Sequence, residues 1–152
     1  MLILALDPGT TQTGWCRYDS ERNEVDTAIE DNADIFKFLP SAAHRHIVIE
    51  ECQSYGMAIG QETITTIWFS GRLYDRALRT ARVLSVTMLP RKAVKLHLCG
   101  SMRAKDTNIR AALIDRFGGI AATKKGGALH GVRSHSWAAL ALAVTYADTR
   151  CP

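Results

Sequence analysis

The strongest constraint on the fold is an apolar strand that ends on an acid. Leu4 to Thr13 reads LALDPGTTQT: an apolar run, one carboxylate, a Pro-Gly turn, then a hydroxyl-rich stretch. Met1 to Leu6 predicts a strand buried on both faces, and Asp7 is the first residue such a core could not hold without a partner. An acid at that rim either caps a turn or holds a metal, and Asp-Pro-Gly alone is a common turn. A second apolar strand, His46-Ile47-Val48-Ile49 running into Glu50-Glu51, tips the balance toward metal. If the two strands lie side by side, Asp7 and Glu50 meet at one sheet edge, where unpaired carboxylates repel and raise each other's pKa. Magnesium or manganese, which prefer hard oxygen ligands, would remove that conflict. Strand alternation sends Glu50 and Glu51 to opposite faces. Only one of them can point at Asp7; the Ile47–Ile49 phase favours Glu50, and Glu51 is the reserve candidate.

A chain of 152 residues, 47% hydrophobic and 22% charged, predicts one soluble domain spanning 1–152 that needs no disulfide or metal staple. No apolar run approaches the roughly 20 residues of a membrane span, and no signal peptide precedes the first strand, so the expected location is cytoplasmic. Cys16, Cys52, Cys99 and Cys151 form no Cys-x-x-Cys pair, which argues against zinc and predicts reduced, mostly buried thiols. The net charge of +4 conceals an asymmetry: residues 1–76 carry 6 Lys+Arg against 12 Asp+Glu, and residues 77–152 carry 13 against 3. A basic half set against acidic strand ends suits an enzyme acting on a polyanion, although a solvated basic surface has the same composition.

Turn residues at Pro8-Gly9 and Ser20–Asn23 divide three early strands, Met1 to Asp7, Thr13 to Tyr18 and a weaker one near Glu24 to Ile29, into an antiparallel meander. A short helix from about Asp31 to Leu39, stopped near Pro40, precedes the Glu50 strand. From 60 to 80, Ile64, Ile67, Trp68, Gly71, Tyr74 and Leu78 recur at helical spacing, predicting a long helix with Gly71 against the sheet and Trp68 in the core. Val83 to Met88 supplies a fifth strand. A basic helix from Pro90 to about Leu98 ends at Gly100, and an amphipathic helix from Lys105 to Phe117 ends at Gly118-Gly119. Thr123 to Gly127 reads as a flexible basic loop, poorly ordered without ligand. A last helix, about Ser134 to Thr149, buries Trp137, Leu140, Ala141 and Val144. Asp115 and Asp148 fall on solvent faces, and Asp106 reads as an acid in a helix's first turn. This order predicts an α/β, ribonuclease H-like domain: a mixed five-stranded sheet, its first three strands antiparallel, with helices on both faces.

Five blocks carry a resemblance that spans nearly the whole chain: LALDPGTTQTGW at 4–15, IVIEE at 47–51, PRKAVKLHLCG at 90–100, AKDTNIRAALIDRFG at 104–118 and HSWAALALAV at 135–144. In that order they resemble the RuvC family of Holliday-junction resolvases, in particular a phage or prophage branch. The resemblance, like the strand phase, favours Glu50 over Glu51: it implies that Asp7 and Glu50 are metal-binding acids and that Lys95 and Lys105 face DNA near the cleavage point. It also exposes a departure. Where the best-known pattern has two acids three residues apart in the last helix, this chain has His135 and Ala138. A neutral imidazole can ligate a divalent metal or orient its water, but alanine can do neither.

What the resemblance implies is a metal-dependent endonuclease resolving Holliday junctions or other branched DNA by paired nicks. Asp7 would bridge two magnesium ions about 4 Å apart, for which manganese would substitute, with Glu50 on one and His135 on the other. Lys105, and with it Lys95, would contact the scissile phosphate, while Lys92, Arg103, Lys124 and Lys125 would be general phosphate contacts. Two cuts need two sites, so a twofold homodimer is expected, with the helix at 60–80 as its interface. The alternative is a non-catalytic binder of branched DNA whose site has decayed at Ala138. The Asp-Pro-Gly-Thr-Thr element also resembles the phosphate loop of sugar-kinase and actin-like ATPases. Those enclose a nucleotide between two lobes where this chain supplies one, so no nucleotide cofactor is expected. A YqgF-type nuclease acting on RNA shares the first motif but lacks counterparts to the 90–118 blocks.

Overall fold

The computed structural model describes residues 1–39, 46–54 and 56–150. Pro40, the expected helix stop, and Cys151 lie outside the described residues. Five strands form one mixed sheet: β1 (Leu2–Pro8), β2 (Gln12–Asp19), β3 (Glu24–Asp31), β4 (His46–Glu51) and β5 (Ser85–Pro90), in the order β3-β2-β1-β4-β5. The pairs β1–β2 and β2–β3 are antiparallel, and β1–β4 and β4–β5 are parallel. The mixed sheet and its antiparallel first three strands are as the sequence predicts. The fifth strand lies two residues later than expected, because its register against β4 runs from His46↔Ser85 to Glu51↔Pro90 and leaves Leu84 exposed.

Alternation along β1 and β4 distributes the core. Ile3, Ala5 and Val48 face a cluster completed by α3 (Arg91–Cys99), α4 (Asp106–Arg116) and α5 (His135–Arg150). Leu4, Leu6, Ile47 and Ile49 face the opposite cluster, built with α1 (Asn32–Phe38) and α2 (Gln61–Leu78). A period of two therefore carries Asp7 and Glu50 onto the α5 side of the sheet and Glu51 onto the other. Helix α5 is buried from Ala139 to Ala147 on almost every side, so its expected stripe is only part of its buried surface.

Three expectations on this scaffold are corrected. The sheet-facing residues of α2 are Phe69, Ser70, Leu73 and Ala77, not the stripe through Gly71. Trp68 is 67% exposed and Leu78 59%, and a Cβ on Gly71 would meet nothing within 4 Å. This helix bears two apolar stripes, and periodicity cannot say which one meets the sheet. The basic segment after α4 is not a slack loop. A 3-10 turn (Ile120–Thr123) is followed by backbone hydrogen bonds from Gly127 to Lys124 and from Leu129 to Ala122, and Ala122 and Leu129 are buried. Asp148 is no solvent-face acid: it accepts from Arg116 at 2.6 and 2.7 Å and pairs with His97 Nε2 at 2.8 Å, joining α3, α4 and α5. Although partial burial opposes it, these donors hold the Asp148 carboxyl below its ordinary value. Of the cysteines described, only Cys16 is fully buried, and Cys52 is exposed.

Candidate active site

Parallel pairing of Leu6 with Ile49 is the last ladder step between β1 and β4, so Asp7 and Glu50 leave the sheet side by side. The turn beyond Asp7 is pinned: Gly9 N–H donates to Gln12 O at 2.8 Å, and Asn32 at the head of α1 donates from Nδ2 to Gly9 O at 3.0 Å while accepting from the buried Thr13 hydroxyl at 2.7 Å. The hydroxyl-rich stretch is thus turn architecture. Above it, Ser134 adopts φ +43°, a left-handed conformation that costs a non-glycine residue on the order of 1 kcal/mol. It sets His135 at the start of α5, with Nδ1 2.9 Å from Asp7 Oδ2. Sequence reasoning missed the residue that permits this approach. Gly14, paired with Asp7 across the β1–β2 ladder, lies so close to His135 that an added Cβ would fall 2.6 Å from its backbone.

Asp7, Glu50 and His135 line one pocket of about 540 Å³, with Val94, Ile109, Trp137 and Ala138 on its apolar wall. Trp137, expected in the core, is only partly buried, and Arg110 lies 4.9 Å over its ring. Burial raises the pKa of Asp7, although a hydrogen bond from Glu50 opposes this. Burial, together with the adjoining Asp7 carboxylate, pushes Glu50 up to about 8. The Arg91 guanidinium partly opposes the rise at Glu50. Glu51 turns away and accepts from Gln53 at 2.9 Å.

Arg91, at the first position of α3, is the resident cation, and the sequence did not single it out. Its Nη1 donates to both Glu50 oxygens at 3.2 and 3.3 Å, and its Nη2 donates to Asp106 Oδ1 at 2.7 Å. Asp106 also lines the pocket, so it is more than a first-turn acid. Its salt bridge with an arginine fifteen residues earlier has no local periodic signature.

The basic residues divide. Lys92 and Lys95 line a neighbouring pocket with Arg91 and Met102. Lys105 is exposed at the start of α4, where its N–H donates to Asn108 Oδ1 at 2.8 Å, beside the pocket but outside its lining. Arg103, Lys124 and Lys125 are exposed and lie outside that lining. The geometry therefore brings Asp7, Glu50 and His135 together and sets Lys92 and Lys95 at their margin.

Two adjacent carboxylates whose pKa values are both raised, one buried and one partly buried, beside an imidazole, match the hard-donor chemistry of magnesium or manganese. As the side chains stand, no group of three or more His, Cys, Asp or Glu among the described residues is disposed around an ion. The donor set is the Asp7–Glu50 pair, with His135 attached through Asp7, and Ala138 adds no ligand.

An acid-edged mixed sheet with helices on both faces defines a ribonuclease H-like fold. Among solved structures the fold is similar to that of Thermus thermophilus RuvC, which superposes with a TM-score of 0.69 at 18% identity, covering 97% of this chain and 93% of that one. The same organism's RuvC in complex with Holliday junction substrate gives 0.72 at 17% identity over 99% and 94%. The yeast mitochondrial Holliday junction resolvase gives 0.57 at 13% identity over 95% and 78%. No protein-family model and no curated protein sequence matches the chain. No helix among the described residues is long and apolar enough to cross a membrane.

Proposed function

We propose that this chain is a metal-dependent, structure-selective endonuclease that resolves four-way junctions or other branched DNA by paired nicks. The observation that carries the reading is the juxtaposition of buried Asp7 and partly buried Glu50 on adjacent parallel strands, with Glu50 raised to about 8. Nothing in the packing of a sheet edge requires two carboxylates there, and their mutual repulsion is a cost that a divalent cation offsets. Asp7 and Glu50 would hold magnesium or manganese, with His135 as the third group. When bound, the metal supplies an activated water and stabilises the leaving 3′ oxygen.

The protein's own groups do the remainder. His135 orients the Asp7 carboxylate through the 2.9 Å contact, and the apolar wall of Val94, Ile109 and Trp137 limits water on one side. Lys92 and Lys95, with Lys105 beside them, draw the phosphodiester backbone toward the acids. The likeness to RuvC bound to Holliday junction substrate supports branched DNA as the ligand. Two nicks require two copies, and the solvent-facing stripe of α2, with Ile67, Trp68 and Leu78 around the open Gly71, suits a twofold contact. The test is cleavage of a labelled four-way junction, set beside forks and flaps, by the parent chain and by Asp7→Asn and Glu50→Gln.

Ala138 favours a second reading, a non-catalytic binder of branched DNA, because it leaves the pocket with no acid from α5. Magnesium- or manganese-dependent nicking by the parent chain excludes it.

A further inference from the structure

We propose that Arg91 is a phosphate-contacting residue of the acidic centre and that Asp106 is its positioning residue. This rests on the nuclease reading above. The guanidinium is the only cation seen bound to Glu50 among the described residues: Nη1 spans both carboxylate oxygens, and Nη2 is fixed by Asp106 at 2.7 Å. A planar fork held at both tips has a set direction that a lysine would lack.

Its position gives that direction a use. Arg91 is the one residue common to the acidic pocket and to the neighbouring pocket of Lys92, Lys95 and Met102. It is 34% exposed, so its edge is open to a ligand while its stem is packed. A backbone drawn along Lys92 and Lys95 toward Asp7 and Glu50 meets Arg91 at the boundary, where a phosphate oxygen replaces one carboxylate as acceptor. Asp106 is 73% exposed and makes its one ion pair with Arg91. Its tether to α4 keeps the fork at the pocket mouth after Glu50 is given up. Phosphate contact therefore requires Arg91 to loosen from Glu50, and the same loosening frees Glu50 for a metal. One side chain couples the arrival of substrate to the availability of a ligand.

The experiment compares Arg91→Ala, Arg91→Lys and Asp106→Asn with the parent chain and with Asp7→Asn. Three quantities are read: junction affinity against salt in EDTA, manganese affinity without DNA by calorimetry, and single-turnover nicking. For Arg91→Ala, losing one phosphate contact lowers the slope of log K against log salt by about 1, and nicking falls roughly 100-fold. Manganese binds more tightly to that variant, because Glu50 no longer has a competing cation. Arg91→Lys keeps the salt slope and loses much of the rate, and Asp106→Asn keeps the slope with a smaller loss. If Arg91→Ala leaves the slope and nicking unchanged while Asp7→Asn is inactive, the proposal for Arg91 fails and the nuclease reading stands. If Asp7→Asn nicks as well as the parent, both fail. If Arg91→Ala does not fold, Arg91→Lys decides: a rate equal to the parent's overturns the proposal.

Discussion

Gly14 lies directly beneath His135, with room for a hydrogen and none for a methyl group: an added Cβ would sit 2.6 Å from the His135 backbone and 2.7 Å from its Cβ. The contact is with backbone at the head of α5, so a flexible side chain cannot swing aside to relieve it. Gly14→Ala must therefore lift His135 from Asp7. The expected cost is about 1–3 kcal/mol of stability, read as a lower thermal midpoint. Junction cleavage is expected to fall by on the order of 100-fold, the size of effect produced by displacing a partner of a metal ligand. An unchanged rate would show that the His135–Asp7 contact is dispensable.

Removing charge from the acid pair tests the chemistry. Asp7→Asn and Glu50→Gln should each retain junction binding in gel-shift assays and lose cleavage by at least about 100-fold, since on the proposed reading phosphate contacts would supply the affinity and the acids the catalysis. His135→Asp restores the commoner acid and is expected to keep activity with an altered preference between magnesium and manganese. Complete loss would give the imidazole a task that carboxylate cannot perform.

The raised pKa of Glu50 predicts a pH dependence with a definite sign. Glu50 rises from an ordinary value of 4.5 to about 8, so the native state holds that proton more tightly than the unfolded chain. The stabilisation is complete below about 4.5 and declines as pH rises toward about 8. Melting curves in EDTA from pH 5 to 8 should show a decline that Glu50→Gln flattens. Manganese affinity should climb over the same interval, because the ion displaces the proton. Parallel curves for parent and variant would contradict both expectations.

The second apolar stripe of α2 predicts self-association. Trp68→Glu places a charge at the centre of the solvent-facing stripe, where two-thirds of the side chain is exposed in the monomer. The dimer should weaken by roughly 30-fold or more, as for an aromatic hot spot, with the thermal midpoint of the monomer preserved. Sedimentation velocity checks the first and calorimetry the second. If the parent chain sediments as a monomer at high concentration, this face has another use.

The sheet was legible because its determinants are local. Apolar runs ending in acids marked β1 and β4, and strand phase together with the RuvC resemblance selected Glu50 over Glu51. Helix α2 was misread in orientation, since Ile67, Trp68 and Gly71 recur with the same period as Phe69, Leu73 and Ala77. The period identifies a helix, and only the tertiary partner says which stripe is inside. Gly14, Arg91 and Asp106 went unread for another reason. Each acts through a neighbour distant in sequence: His135 for Gly14, Glu50 for Arg91, and Arg91 for Asp106. A glycine in a strand or an arginine opening a basic helix has no local mark of that role.

Asp148 lies outside the pocket but bears on its geometry. By gripping His97 and Arg116 it fastens together the three helices that deliver Arg91, Asp106 and His135, whereas Asp7 and Glu50 ride on the sheet. The proposed site is thus built from a trio of helices and a sheet edge, which α5 packs into one core by lying against β1 and β2. A disturbance of any one of these helices is passed through the Asp148 carboxylate to the other two, so loss of that carboxylate would unsettle Arg91, Asp106 and His135 together.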